Sequence, residues 1–175
     1  AYTTPNVEAL TVPQLQAIKP VKGANLPVST SSENTARNTP EAAADAENGT
    51  DTLQTRFGEV QISRENPIVF TRGLLGIPDS QLFTLAEFPS EKLKQFKLLQ
   101  SLQNDELSFI TLPLDIDNSI LTREDVEKAC EDTGISMDSL ELLLIVSVIR
   151  SPTDLKLTVN ARAPLLINSQ SREAI

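Results

Sequence analysis

The side chains that most often carry chemistry are scarce in this chain, and histidine is absent altogether. Acid–base and nucleophilic mechanisms that depend on imidazole are therefore excluded. The single cysteine, Cys130, allows no intramolecular disulfide and, with no histidine beside it, no Cys/His zinc site within one chain. Asp132-Thr133-Gly134 has the tripeptide of aspartic proteases, in which two carboxylates share one proton. One copy would require a homodimer, and the aspartate should emerge from an apolar strand into a protected cleft. Here it follows Lys128-Ala129-Cys130-Glu131, the polar end of a helix, so a helix stop is the better account. Gly73 and Gly76 lack the full glycine spacing and the following Lys-Ser/Thr of phosphate-binding loops, and mark a turn instead. Cys130 is expected to face the core as an inert thiol. Glu124, Asp125, Glu127, Glu131 and Asp132 form the polar side of the same helix, a face for solvent or for a basic partner. No catalytic residue, metal ligand or cofactor is expected.

The elements that position these residues follow from where large apolar side chains fall. All six phenylalanines lie between residues 57 and 109, so a core is expected to begin near residue 55. Residues 1–54 hold five of the eleven prolines, and within 29–54 Leu53 is the only large aliphatic residue. Such a segment cannot offset its ordering entropy, so 1–54 is expected to be a disordered Pro/Ala/Ser/Thr-rich arm and linker, and 55–175 the domain. Residues 57–62, 68–70, 82–85, 96–102, 107–112, 142–149, 155–159 and 165–167 read as strands, with a hairpin loop at 103–106. One helix is well signalled. Thr122 is its N-cap, Asp125 follows three residues on, Leu121 and Val126 staple it, and Gly134 stops it. About eight strands and one short helix predict a mainly-β barrel or sandwich.

A net charge of -9 argues against direct nucleic-acid binding; it is compatible with a basic protein partner, but acidity alone is first of all an ordinary solubility feature. No apolar run approaches the roughly 18 residues of a membrane span. Residues 1–12 lack the basic and apolar blocks of a signal peptide, so a cytoplasmic setting is expected.

The order of the runs is similar to a known family. Thr55-Arg56-Phe57-Gly58-Glu59-Val60-Gln61-Ile62, Ile68-Val69-Phe70 and Gly73-Leu74-Leu75-Gly76-Ile77-Pro78-Asp79 resemble the N-terminal half of the bacterial flagellar assembly factor FliW. Leu99-Gln100-Ser101-Leu102 with Leu107-Ser108-Phe109 and Pro113 resembles its central hairpin. Leu144-Ile145-Val146-Ser147-Val148, Thr158-Val159-Asn160-Ala161-Arg162-Ala163-Pro164 and Ile167-Asn168 resemble its C-terminal signature. The resemblance implies a compact, barrel-like antiparallel β domain with no enzymatic activity. It implies two partners: CsrA, a basic RNA-binding regulator, and flagellin, which competes with it. CsrA held by such a protein no longer represses flagellin mRNA, a translational switch in flagellum biogenesis. The alternative is a flagellin-binding assembly or export chaperone without CsrA regulation. Expected partner-binding residues are Leu74 and Ile77, as exposed apolar anchors, and the acidic Glu124 and Asp125. Gly58, Gly73, Gly76, Gln100, Asn160, Pro164 and Asn168 match the family motif and are expected to be structural, the glycines in turns and the amides buried against backbone groups. Ile77 stands where the family carries an aromatic residue. The family usually continues past the position of Ile175 into another apolar strand, so either the sequence is truncated there or one barrel edge is left open.

Overall fold

A computed structural model describes residues 50–118, 120–150 and 155–175. Ten strands and one helix follow in chain order: β1 (Thr50–Thr55), β2 (Gly58–Ser63), β3 (Ile68–Phe70), β4 (Leu82–Glu87), β5 (Lys97–Ser101), β6 (Ser108–Leu114), α1 (Arg123–Thr133), β7 (Leu140–Arg150), β8 (Leu155–Val159), β9 (Leu165–Asn168) and β10 (Glu173–Ala174). Seven of them close a ring, β6–β5–β4–β3–β10–β9–β7, completed by the β6–β7 pairing. The long strand β7 takes β9 along its first half and β8 along its second, both on one edge.

Alternation along these strands sorts the apolar side chains into three layers. Phe70, Phe83, Leu85, Leu99, Leu143, Leu165 and Ile167 fill the barrel interior. Phe70 and Phe83 meet edge to face at 5.3 Å between ring centres, the geometry favoured by aromatic quadrupoles. On the outside of β6, β7 and β8, Leu112, Leu142, Leu144 and Val159 lie against Val126 and Cys130 of α1. On the outside of β4 and β5, Ala86 and Leu98 lie beneath Val60 and Ile62 of the β1–β2 hairpin.

The helix forms where its signals stand. Thr122 accepts a hydrogen bond from the Asp125 N–H, its hydroxyl donates to the Asp125 carboxylate at 2.6 Å, and Gly134 ends the helix in the left-handed region. Asp132-Thr133-Gly134 is thus a helix end, with Asp132 exposed.

Two expectations are corrected. Residues 50–54, expected to be linker, belong to strand β1. That strand is held mainly by polar pairs across the hairpin. Gln61 donates to Thr52, Gln54 donates to Glu59, and Arg64 pairs with Asp51 at 2.6 Å. Apolar content therefore underestimated it. Second, the barrel has no open edge at Ile175. Strand β10 runs parallel to β3 and antiparallel to β9, and the Ile175 backbone exchanges both hydrogen bonds with Leu166 at 3.0 Å. Residues 1–49, the greater part of the expected arm, lie outside the described residues.

Candidate partner-binding surfaces

The β3–β4 connection is a tight turn. The Ile77 N–H bonds the Leu74 carbonyl at 2.8 Å, leaving Leu75 and Gly76 at the apex. Gly76 sits at φ 86°, the left-handed value that the third position of a type II turn requires. Gly73 sits at φ 67°, and a Cβ there would stand 2.6 Å from Pro78 Cα. The turn is thereby packed against its own returning segment at Ile77-Pro78.

This geometry inverts one expectation. Leu74 is 7% exposed and packs into the barrel interior, so it is not a surface anchor, and Ile77 is half-buried opposite it. The exposed apolar residue is Leu75, at 99%. The Leu74-Leu75 pair is symmetric in sequence, and only the turn register decides which leucine turns inward.

Antiparallel alternation shows what surrounds Leu75. Because β3, β5 and β7 run one way and β4 and β6 the other, the 71–81 and 102–107 connections and the far end of β7 share one end of the barrel. Strand β10 runs with β3, so Ile175 points to the same end. Leu75, Val148, Ile149 and Ile175, the exposed large hydrophobics among the described residues, all belong to it.

The second surface is α1. Glu124 and Asp125 are exposed in its first turn, where carboxylates complement the helix dipole. Arg123 pairs with Asp117 at 2.9 Å and Glu127 at 3.0 Å. Those partners, Glu127 first, hold its guanidinium pKa above the ordinary value. The last turn carries no basic residue. Between the C-terminal half of α1 and the chain that follows it lies an open groove of about 480 Å³. Cys130 faces its floor, and burial pushes that thiol pKa up, which disfavours the nucleophilic thiolate. Among the described residues no cluster of three or more Cys, Asp or Glu is arranged to hold a metal.

The motif residues hold connections in place. The Gln100 amide is fully buried and donates to the carbonyls of Ser101, Asn104, Asp105 and Leu107, at 3.0–3.4 Å. It thereby shapes the β5–β6 turn. Asn160 and Asn168 are corrections, since neither is buried. Asn160 Oδ1 accepts from the Arg162 N–H, and Asn168 Oδ1 from the N–H groups of Gln170 and Ser171. Short polar side chains build such local turns. Gly58 opens β2 at φ 127°, and Pro164 precedes β9. Sequence reasoning missed Arg172. Its guanidinium donates to the Asn66 carbonyl at 2.9 and 3.2 Å across the β10 seam. Desolvation lowers its pKa, partly offset by Glu141.

The fold and these surfaces define a small closed β-barrel that presents loops and a charged helix. The FliW protein family model matches residues 51–175, and the chain belongs to that family. It is 32% identical over 123 residues to the flagellar assembly factor FliW of Bdellovibrio bacteriovorus, covering 68% of this chain and 66% of that one. It is 30% identical over 124 residues to the FliW of Syntrophotalea carbinolica, covering 71% and 86%. A crystal structure of the flagellar assembly factor FliW superposes with a TM-score of 0.51 at 22% identity, over 72% of this chain and 85% of that chain, and shows the same fold.

Proposed function

We propose that this flagellar assembly factor acts without enzymatic chemistry, by binding CsrA in the cytoplasm and relieving its repression of flagellin mRNA, with flagellin as the competing partner. The observation that carries this reading is family membership across the entire described domain. The acidity of the chain, -9 overall, supports capture of a basic regulator, because opposite charge speeds encounter. Glu124 and Asp125 supply part of that field, and Leu75 with its apolar surroundings supplies a surface for burial. Exclusive binding needs no chemistry, only mass action between two ligands of one protein.

Titration of the full chain against purified CsrA and against flagellin tests the reading. CsrA should bind, flagellin should displace it, and association should slow as salt screens the charges. Flagellin binding with no CsrA binding would leave the assembly-chaperone reading in its place. Binding of neither would overturn both.

A further inference from the structure

The groove beside α1 has an apolar floor, Cys130, Ile135 and Met137, and a carboxylate rim, Glu127 and Glu131. The two glutamates are four residues apart and stand above one another on the helix side. Both are exposed, as are the adjoining Asp132 and Asp138. No basic residue in the last turn neutralises the negative end of the helix dipole, which adds to the field of the rim. Arg123 meets Glu127 at 3.0 Å, but an exposed pair of this kind is weak and readily exchanged. The fitting ligand has apolar side chains for the floor and cations at short spacing for the rim.

We propose that the occupant is the chain's own segment Ala17-Ile18-Lys19-Pro20-Val21-Lys22. Residues 9–32 contain Lys19 and Lys22 and no acidic residue, in a chain with 24 Asp and Glu. Each lysine directly follows an apolar residue, Ile18 or Val21, so apolar and cationic groups come in two matched pairs. Pro20 between them disfavours α-helix and suits polyproline II, whose three-residue turn puts positions 19 and 22 on one face roughly 9 Å apart and positions 18 and 21 on the next. Long lysine side chains bridge from that span to carboxylates about 6 Å apart along a helix. The segment can reach the groove, since 27 residues lie between Lys22 and Thr50. A chain of that length extends up to ~90 Å, whereas a domain of this size has a radius of gyration of about 14 Å. Tethering makes the contact intramolecular, with an effective concentration on the order of millimolar. A weak contact is then occupied at rest and yields to a stronger basic ligand. Competition with CsrA rests on the function proposed above; the contact itself does not.

Zero-length carbodiimide cross-linking of the full chain, read by peptide mass spectrometry, tests the contact without any partner present. Lys97–Glu87 and Lys94–Glu91, ion pairs of the folded domain, serve as internal controls. The expected products join Lys19 or Lys22 to Glu127 or Glu131, with yields falling several-fold in 1 M salt. The quadruple charge swap Lys19→Glu, Lys22→Glu, Glu127→Lys, Glu131→Lys should restore cross-links between the same positions that either double variant abolishes. Control products without groove products would overturn the proposal. So would groove products found only between isotopically light and heavy copies, which would assign the groove to a second chain. Because CsrA and flagellin are absent from the reaction, failure here leaves the partner reading standing, and failure of that reading leaves the cross-link untouched.

Discussion

Gly73 and Gly76 flank the same exposed leucine, yet replacing them with alanine should have unequal effects. At Gly76 a Cβ meets nothing within 4 Å, so Gly76→Ala costs only the left-handed backbone conformation at φ 86°. That penalty is about 1–2 kcal/mol for a residue with a Cβ. At Gly73, φ 67°, the same penalty applies, and the added Cβ also lies 2.6 Å from Pro78 Cα, 2.7 Å from Pro78 O and 2.8 Å from Ile77 O. These are backbone atoms, which cannot swing aside as a flexible side chain would. Relieving such overlap costs a further ~1–3 kcal/mol. For a domain of this size about 1 kcal/mol moves the melting temperature by roughly 4 °C. Gly76→Ala should therefore lower it by about 4–8 °C, and Gly73→Ala by about 8–20 °C. Differential scanning calorimetry of the two full-length variants reads the difference. Equal shifts would refute the close packing of this turn on Ile77-Pro78, and with it the rigid presentation of Leu75.

Leu75→Ser should leave stability within about 0.5 kcal/mol of the parent, because the side chain is 99% exposed. It should nevertheless speed dissociation of whichever partner covers the apolar end of the barrel, as surface plasmon resonance would show. Thr122→Ala removes the N-cap of α1, and denaturant titration should report a loss of about 1 kcal/mol. The Cys130 thiol pKa is raised in the folded protein by burial, so its contribution to stability is fully present below the unfolded thiol pKa. That contribution is lost as pH rises from there through the folded value. Ellman's reagent at pH 8 should accordingly react slowly with the native chain and rapidly once guanidinium unfolds it; equal rates would contradict the buried position.

What the sequence discloses here is whatever local chemistry decides. Thr122, Asp125 and Gly134 mark the ends of α1 through hydrogen bonds made within a few residues. The apolar runs that become β4 to β7 are visible because these strands are buried on both faces, and β8 because Leu155, Leu157 and Val159 alternate with Lys156 and Thr158. Features decided by distant partners are hidden. Strand β10 is two residues long and exists only because β3 and β9 stand on either side of it. Strand β1 buries little and is held by polar cross-strand pairs, so it looks like linker. Leu74 and Leu75 are chemically identical, and the Ile77-to-Leu74 hydrogen bond decides which enters the core. Among the candidate surface residues, Glu124 and Asp125 lie where expected, because charge at a helix start is itself a local rule.

The layering also constrains how two partners would exclude each other. Strand β7 sends Leu143 into the barrel interior and Leu142, Leu144 and Val146 beneath α1. The apolar end lies where β7 runs out and the acidic helix lies over the outer face of its first half, on a closed barrel whose interior is filled. Packed cores of this kind do not deform continuously. If the barrel keeps one arrangement whichever partner is bound, a ligand at one surface leaves the other unchanged. The competition proposed between CsrA and flagellin would then come from overlap of their footprints, or from both using the same residues. Partners that contacted only the barrel end and only α1, without touching each other, would form a ternary complex. Mutual exclusion thus requires at least one footprint that crosses from the Leu75 turn region toward the helix side.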